Sequence, residues 1–159
     1  MREVQKKVLI SLSEDASRIQ SGGSSVLALH WFDGRRTPAA NQHLKSVIGG
    51  LTLGSDAPSV YRALVEATAF GSRSVVERFR REGRRLDNVI AVGGIATRLP
   101  LAVQILTDVL STSITVCKSE QVCALGSAIA AAAAAGCHKS ISAAQEMARG
   151  SSTASKPCP

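Results

Sequence analysis

Between residues 88 and 111 the chain reads NVIAVGGIATRLPLAVQILTDVLS: a short apolar run, two glycines, then apolar residues at helical spacing. A buried strand that passes through a glycine turn into a helix is the unit from which α/β proteins are built, so this stretch limits the fold more than any other. Gly93 and Gly94 admit two readings. Glycine lets a helix sit tight against a sheet, and it also bares backbone N–H groups at a helix start, a natural seat for phosphate. The spacing is neither the G-x-G-x-x-G of dinucleotide folds nor a P-loop. Arg98, one turn into the helix, adds a cation where a phosphate could lie. On the residues alone both readings stay open.

The remaining segments extend the alternation. Val4, Val8, Leu12, Ala16 and Ile19 recur at helical spacing and predict an amphipathic first helix, broken by SGGSS at 21–25. VLALHW and SVIGGLTL read as strands, the second weakened by its glycines. Asp56 is placed to cap a helix with Pro58 in its first turn, and Val60, Leu64, Ala67, Gly71, Val75 and Phe79 form one stripe of it to about Gly83. A strand at 89–92, a helix ending near Leu110 and the short strand SITVC follow. The small side chains of EQVCALGSAIAAAAAAG would allow a helix to approach a sheet very closely, and SISAAQEMA makes a last short helix started by Ser140 or Ser142. The fold class is therefore α/β. Residues 1–24 are expected to be a helix and linker, 25–148 the domain proper, and 149–159 a disordered tail.

Several function classes fall away. No apolar run reaches membrane-spanning length, and the N-terminus lacks the apolar core of a signal peptide, so a cytoplasmic protein is expected. Cys117, Cys123, Cys137 and Cys158 include no C-x-x-C pair and have no histidine at metal spacing; no metal site is expected, and buried inert thiols are the default. The formal net charge of +7 would suit an anionic ligand or nucleic acid. Yet the basic run RFRREGRR (78–85) falls at a helix C-terminus, where arginines are favoured by the helix dipole, and only Phe79 offers a stacking surface. No nucleic-acid partner is expected. The loop WFDGRRTP (31–38) reads either as a rigid turn, with Trp31 in the core and Asp33 paired to an arginine, or as a loop facing an anion or another domain. Glu66 could face a cleft. No carboxylate pair, triad or activated thiol emerges, so no catalytic set is assigned.

Five stretches then occur in a familiar order: GRRTP (34–38), GGLTL (49–53), RALVEATAFGSRSVVERF (62–79), VGGIA with QILTDVL (92–110) and ALGSAIAAAAAAG (124–136). The series resembles the C-terminal domain of the FGGY carbohydrate kinases over residues 25 to 147, and most closely the members that phosphorylate L-ribulose in L-arabinose degradation. The resemblance implies a ribonuclease H-like fold, related to actin and other sugar kinases, with part of the domain present and a mixed sheet flanked by helices. It implies ATP with Mg2+ as cofactors, held mainly on this side of a cleft. Gly93 and Gly94 match the adenosine motif, with Ala96 close by and Arg98 at a position where relatives carry Ser or Asn. Gln104 and Asp108 match a Q--AD pattern that orients the helix. At 30 and 33 this chain has His and Asp where the L-ribulose kinases often have Asp and Asn. The sugar and the catalytic aspartate belong to an N-terminal kinase domain that this chain lacks, so the chain alone is expected to be inactive. A cleft face left bare by that missing partner could drive homo-oligomer formation.

Overall fold

The computed structural model describes residues 2–117, 121–147 and 152–157. Helix α1 (Arg2–Ser17) leads into a two-stranded antiparallel ribbon, β1 (Leu27–Leu29) and β2 (Val47–Gly49), in which Ala28 faces Ile48. Helix α2 (Ala57–Arg81) follows, then β3 (Val89–Ala91), α3 (Gly94–Arg98), α4 (Pro100–Leu110) and β4 (Ile114–Cys117). The last elements are α5 (Val122–Ala134), α6 (Ile141–Met147) and β5 (Ser152–Ser155). β3 and β4 pair in parallel with α3 and α4 as the crossover, and β5 adds antiparallel to the other edge of β4. The α/β alternation is as expected, and the second sheet is mixed. No helix among the described residues is long and apolar enough to cross a membrane.

The core is small and sits between α2, α4 and the second sheet. Ile114 is fully buried among Val103 and Leu110, with Val76, Val89, Ala96 and Leu106 packed against them. The α2 stripe faces inward from Val60 to Val75, with Ala67 buried, while Phe79 at its end is half-exposed. Asp56 caps α2 by accepting the Ser59 amide at 2.9 Å, and hydrogen bonding to Ser59 holds its carboxyl below the ordinary value. Ser140 fills the same role for α6, accepting from the Ala143 amide at 3.2 Å.

Four features depart from the sequence expectations. The α1 stripe packs only in its C-terminal half: Ala16 is buried, while Val4 and Val8 are 64% and 51% exposed. The segment after Gly94 is two helices, because Pro100 cannot continue α3 and restarts the chain as the first residue of α4. Helix α5 buries none of its residues; its small side chains pack on α6 rather than on strands. The tail expected to be disordered contributes β5, because β4 otherwise presents an open edge and side chains of α4 hold the incoming strand. Residues 149–151, 158 and 159 of that tail, Cys158 among them, lie outside the described residues.

α1 is fastened to α2 by Arg62, which is only 7% exposed. Its Nη1 donates to the Ala16 carbonyl at 3.0 Å, its Nη2 to the Ser21 hydroxyl at 3.2 Å and its Nε to Glu66 at 2.7 Å. Glu66 thus serves the clasp rather than a cleft.

A second close fit joins α2 to the ribbon. A Cβ placed on Gly71 would overlap the His30 imidazole as it lies here, so a side chain at 71 would have to push the ring aside. Gly71→Ala is expected to destabilise the fold by about 1–3 kcal/mol. Pairing it with His30→Ala should return most of that loss in a urea-denaturation series. A double variant no more stable than Gly71→Ala alone would refute the fit.

Candidate functional site

Gly93, the residue before α3, has φ +94° and ψ 179°, a backbone region that L side chains rarely adopt, and its carbonyl accepts from the Thr97 amide at 3.3 Å as α3 begins. A Cβ on Gly93 or on Gly94 would meet nothing within 4 Å. Close helix–sheet packing is therefore not why glycine stands there. Gly93 is required by its backbone conformation, and Gly94 leaves open space at the surface.

Ala96 and Arg98 lie on the same short helix, and the structure separates them. Ala96 is half-buried and packs on the core, while Arg98 is exposed and, among the described residues, makes no ion pair. Thr97 turns its hydroxyl back onto the carbonyls of Gly93 and Gly94, at 3.4 and 3.3 Å, which fixes the turn's shape.

Beside this turn is an open cavity of about 690 Å³. Its walls are Ala96 and Thr97 of α3, Pro100 and Gln104 of α4, and Ser155 and Lys156 of the C-terminal segment. Sequence reasoning missed the third wall, because no apolar alternation marks 152–155 as a strand. Gln104 was expected to orient its surroundings, and it does so: its Nε2 donates to Asp108 at 2.9 Å and to the Lys156 carbonyl at 3.0 Å.

The other candidate segments are separate from this place. In the loop 31–38, Asp33 pairs with no arginine among the described residues, contrary to the rigid-turn reading. Arg35 instead lies 5.5 Å over the half-buried Trp31 ring and donates to the Ala39 carbonyl at 3.3 Å. Cavities of about 260 and 500 Å³ flank this loop where it faces α2. In the basic run, Arg78 bonds Glu82 at 2.6 Å and Arg81 lies 3.9 Å from Glu77, whose carboxyl is held below its ordinary value chiefly by a bond from Arg73. Cys123 and Cys137 are exposed and Cys117 is half-buried, so the expectation of buried thiols does not hold. Among the described residues no three His, Cys, Asp or Glu side chains gather as a metal site.

What this geometry can do is accept a ligand against bare backbone, with a neighbouring cavity of a size that fits a small organic molecule. Comparison with known proteins narrows the class. Residues 2–135 match the FGGY family of carbohydrate kinases, C-terminal domain. The ribulokinase of Vibrio parahaemolyticus is 42% identical over 143 residues, which is 90% of this chain and 25% of that protein. The ribulokinase of Bacillus licheniformis is 42% identical over 125 residues, 79% of this chain and 23% of that protein. The chain thus spans about a quarter of the length of these relatives. Among solved structures, Plasmodium falciparum glycerol kinase with ADP superimposes with a TM-score of 0.75 at 23% identity, over 92% of this chain and 29% of that one. Gluconate kinase from Lactobacillus acidophilus gives 0.77 at 20% identity, over 93% and 30%. The shared fold is the ribonuclease H-like fold of actin and the sugar kinases, and the match takes in α1 as well as the segment from residue 25 onward. The chain belongs to the FGGY family of carbohydrate kinases, of which it carries the C-terminal domain.

Proposed function

We propose that this chain is the nucleotide-side domain of a cytoplasmic kinase that moves the γ-phosphoryl group of ATP to L-ribulose, giving L-ribulose 5-phosphate in L-arabinose breakdown. Residues 25–148 form the domain, and residues 1–24 are the helix and linker docked on it. The observation that carries the nucleotide half of this reading is the Gly93–Gly94 turn: it has no Cβ to block an approach, none is needed for packing, and a cavity opens beside it. The sugar half rests on the two relatives of 42% identity that bear the name ribulokinase.

In this reading the backbone of Gly93 and Gly94 lies against the nucleotide, Ala96 forms apolar floor, and Arg98 stands at the rim as a cation for its phosphates. Bound with the nucleotide, Mg2+ would supply neutralisation of the charge that develops on the phosphates. The domain's work is positioning and charge stabilisation, since phosphoryl transfer asks little covalent chemistry of a protein. The base for the sugar hydroxyl and the sugar pocket are assigned to a separate N-terminal kinase domain, so the 159-residue chain alone should release no ADP in response to sugar.

Coupled-enzyme measurement of ADP release, on the whole protein that carries this domain, tests the assignment. Turnover is expected with L-ribulose and only weak turnover with xylulose or glycerol. Turnover on xylulose or glycerol with none on L-ribulose would refute the sugar and leave the family unchanged.

A further inference from the structure

The loop 31–38 and the stretch of α2 opposite it enclose space that the nucleotide reading does not use. The smaller cavity there, of about 260 Å³, lies between Ala67 and Phe70 of α2 and a wall made by Leu29, Trp31 and Arg35. Among the described residues that line it, His30 and Arg35 are the titratable ones, and none is a carboxylate. Asp33 and Arg36 line only the larger cavity beside it.

Arg35 is fixed at its backbone and again at its side chain. Its amide donates to the Asn41 carbonyl at 2.9 Å, and its carbonyl accepts from the Asn41 amide at 2.7 Å. Its Nε donates to the Ala39 carbonyl at 3.3 Å, and its guanidinium carbon stands 5.5 Å from the Trp31 ring centre. Ala39 lines neither cavity, whereas Trp31 lines both. The Nε edge is thus turned to the loop backbone, and Nη1 and Nη2 remain over the indole that walls the cavities. Among the described residues these two nitrogens have no acceptor and no ion pair. Across the cavity the half-buried His30 ring rests against Gly71, also without a hydrogen-bond partner for its nitrogens among the described residues.

We propose that this cavity binds a small monocarboxylate with an apolar body, its carboxylate on Nη1 and Nη2 of Arg35 and its body against Leu29, Ala67 and Phe70. A cation partly withdrawn from water is costly until it is paired, and the planar guanidinium fork matches a carboxylate with two parallel bonds. One cation balances one negative charge; a doubly charged phosphate would need a second, which the smaller cavity lacks. The arginine stem is already held by Ala39 and Trp31, so little further freedom is lost on binding. The site is independent of the Gly93–Gly94 turn.

Trp31 is the one tryptophan of the chain, so its fluorescence reports this place alone. Titrating the 159-residue chain with isovalerate should change that emission saturably. The neutral isostere isovaleramide should bind at least about tenfold more weakly, the loss expected for one charge-assisted pair, and inorganic phosphate should also bind more weakly than isovalerate. In Arg35→Met, which keeps much of the stem, the preference for acid over amide should vanish, and Arg35→Lys should restore only part of it. No saturable change with isovalerate, or acid and amide binding alike in the parent, overturns the proposal. Tighter binding of phosphate overturns the ligand class. The acid and amide comparison uses the unaltered chain, so it decides the matter even where Arg35→Met does not fold.

Discussion

Gly94→Val is expected to abolish Mg-ATP binding, weakening it at least about 100-fold, while the domain stays folded. The two halves of that statement have separate causes. Gly94 sits at the first position of α3, where valine is a better helix former than glycine, and a Cβ there touches nothing. Stability should therefore hold or rise slightly. The branched side chain is also stiff about its first torsion, so it cannot swing aside from the volume that the proposed nucleotide would enter. Calorimetric titration beside a thermal melt reads both quantities. A folded variant that binds like the parent would remove the nucleotide from this turn. Gly93 is a poorer probe, because its φ of +94° makes any side chain strained whatever the ligand does.

The largest expected loss of stability belongs to Arg62→Ala. The guanidinium is nearly buried, and its removal leaves the Ala16 carbonyl and the half-buried Glu66 without their donor. Breaking a buried, hydrogen-bonded ion pair from one side costs about 3 kcal/mol or more. For a chain of 159 residues that corresponds to a fall in Tm of roughly 6–12 °C. Arg62→Lys should recover little, since a single ammonium cannot serve three acceptors spread over Ala16, Ser21 and Glu66. Arg62→Met, which keeps much of the stem, separates packing from charge. A melt of Arg62→Ala within about 2 °C of the parent would mean that α1 is held by other contacts, at the 2–4 °C per kcal/mol expected of this size.

What could be read in the sequence was whatever local pattern decides. β3, the helix that ends near Leu110 and β4 were legible because apolar runs and the Gly93–Gly94 break announce themselves within a few residues, whereas the split at Pro100 into α3 and α4 went unread. The α2 cap was legible for the same reason. Arg62 was not: inside a helical stripe it looks like any solvated arginine, and its acceptors Ala16 and Ser21 lie 46 and 41 residues away. β5 was hidden because a Ser-Thr-Ala-Ser run has no period; the open edge of β4 and the Gln104 side chain create the strand. α5 misled in the opposite way, since small residues permit a close approach without saying to what. At the candidate site the glycine turn was visible and its cause was not. Only the empty space around the absent Cβ atoms argues against packing.

Helix α2 has 25 residues, about 37 Å at the usual rise per residue, and it packs against α1 and β1 as well as against α4. Among the described residues the ribbon β1–β2 and the sheet β3–β4–β5 share no ladder. Among the described residues α2 packs both on the ribbon and on α4, so a change at one sheet would reach the other chiefly as tilt and roll of this rod. A spectroscopic label near the ribbon would register an event at the glycine turn only to the degree that α2 behaves as a stiff lever, and softening that lever at its middle would deafen one end to the other.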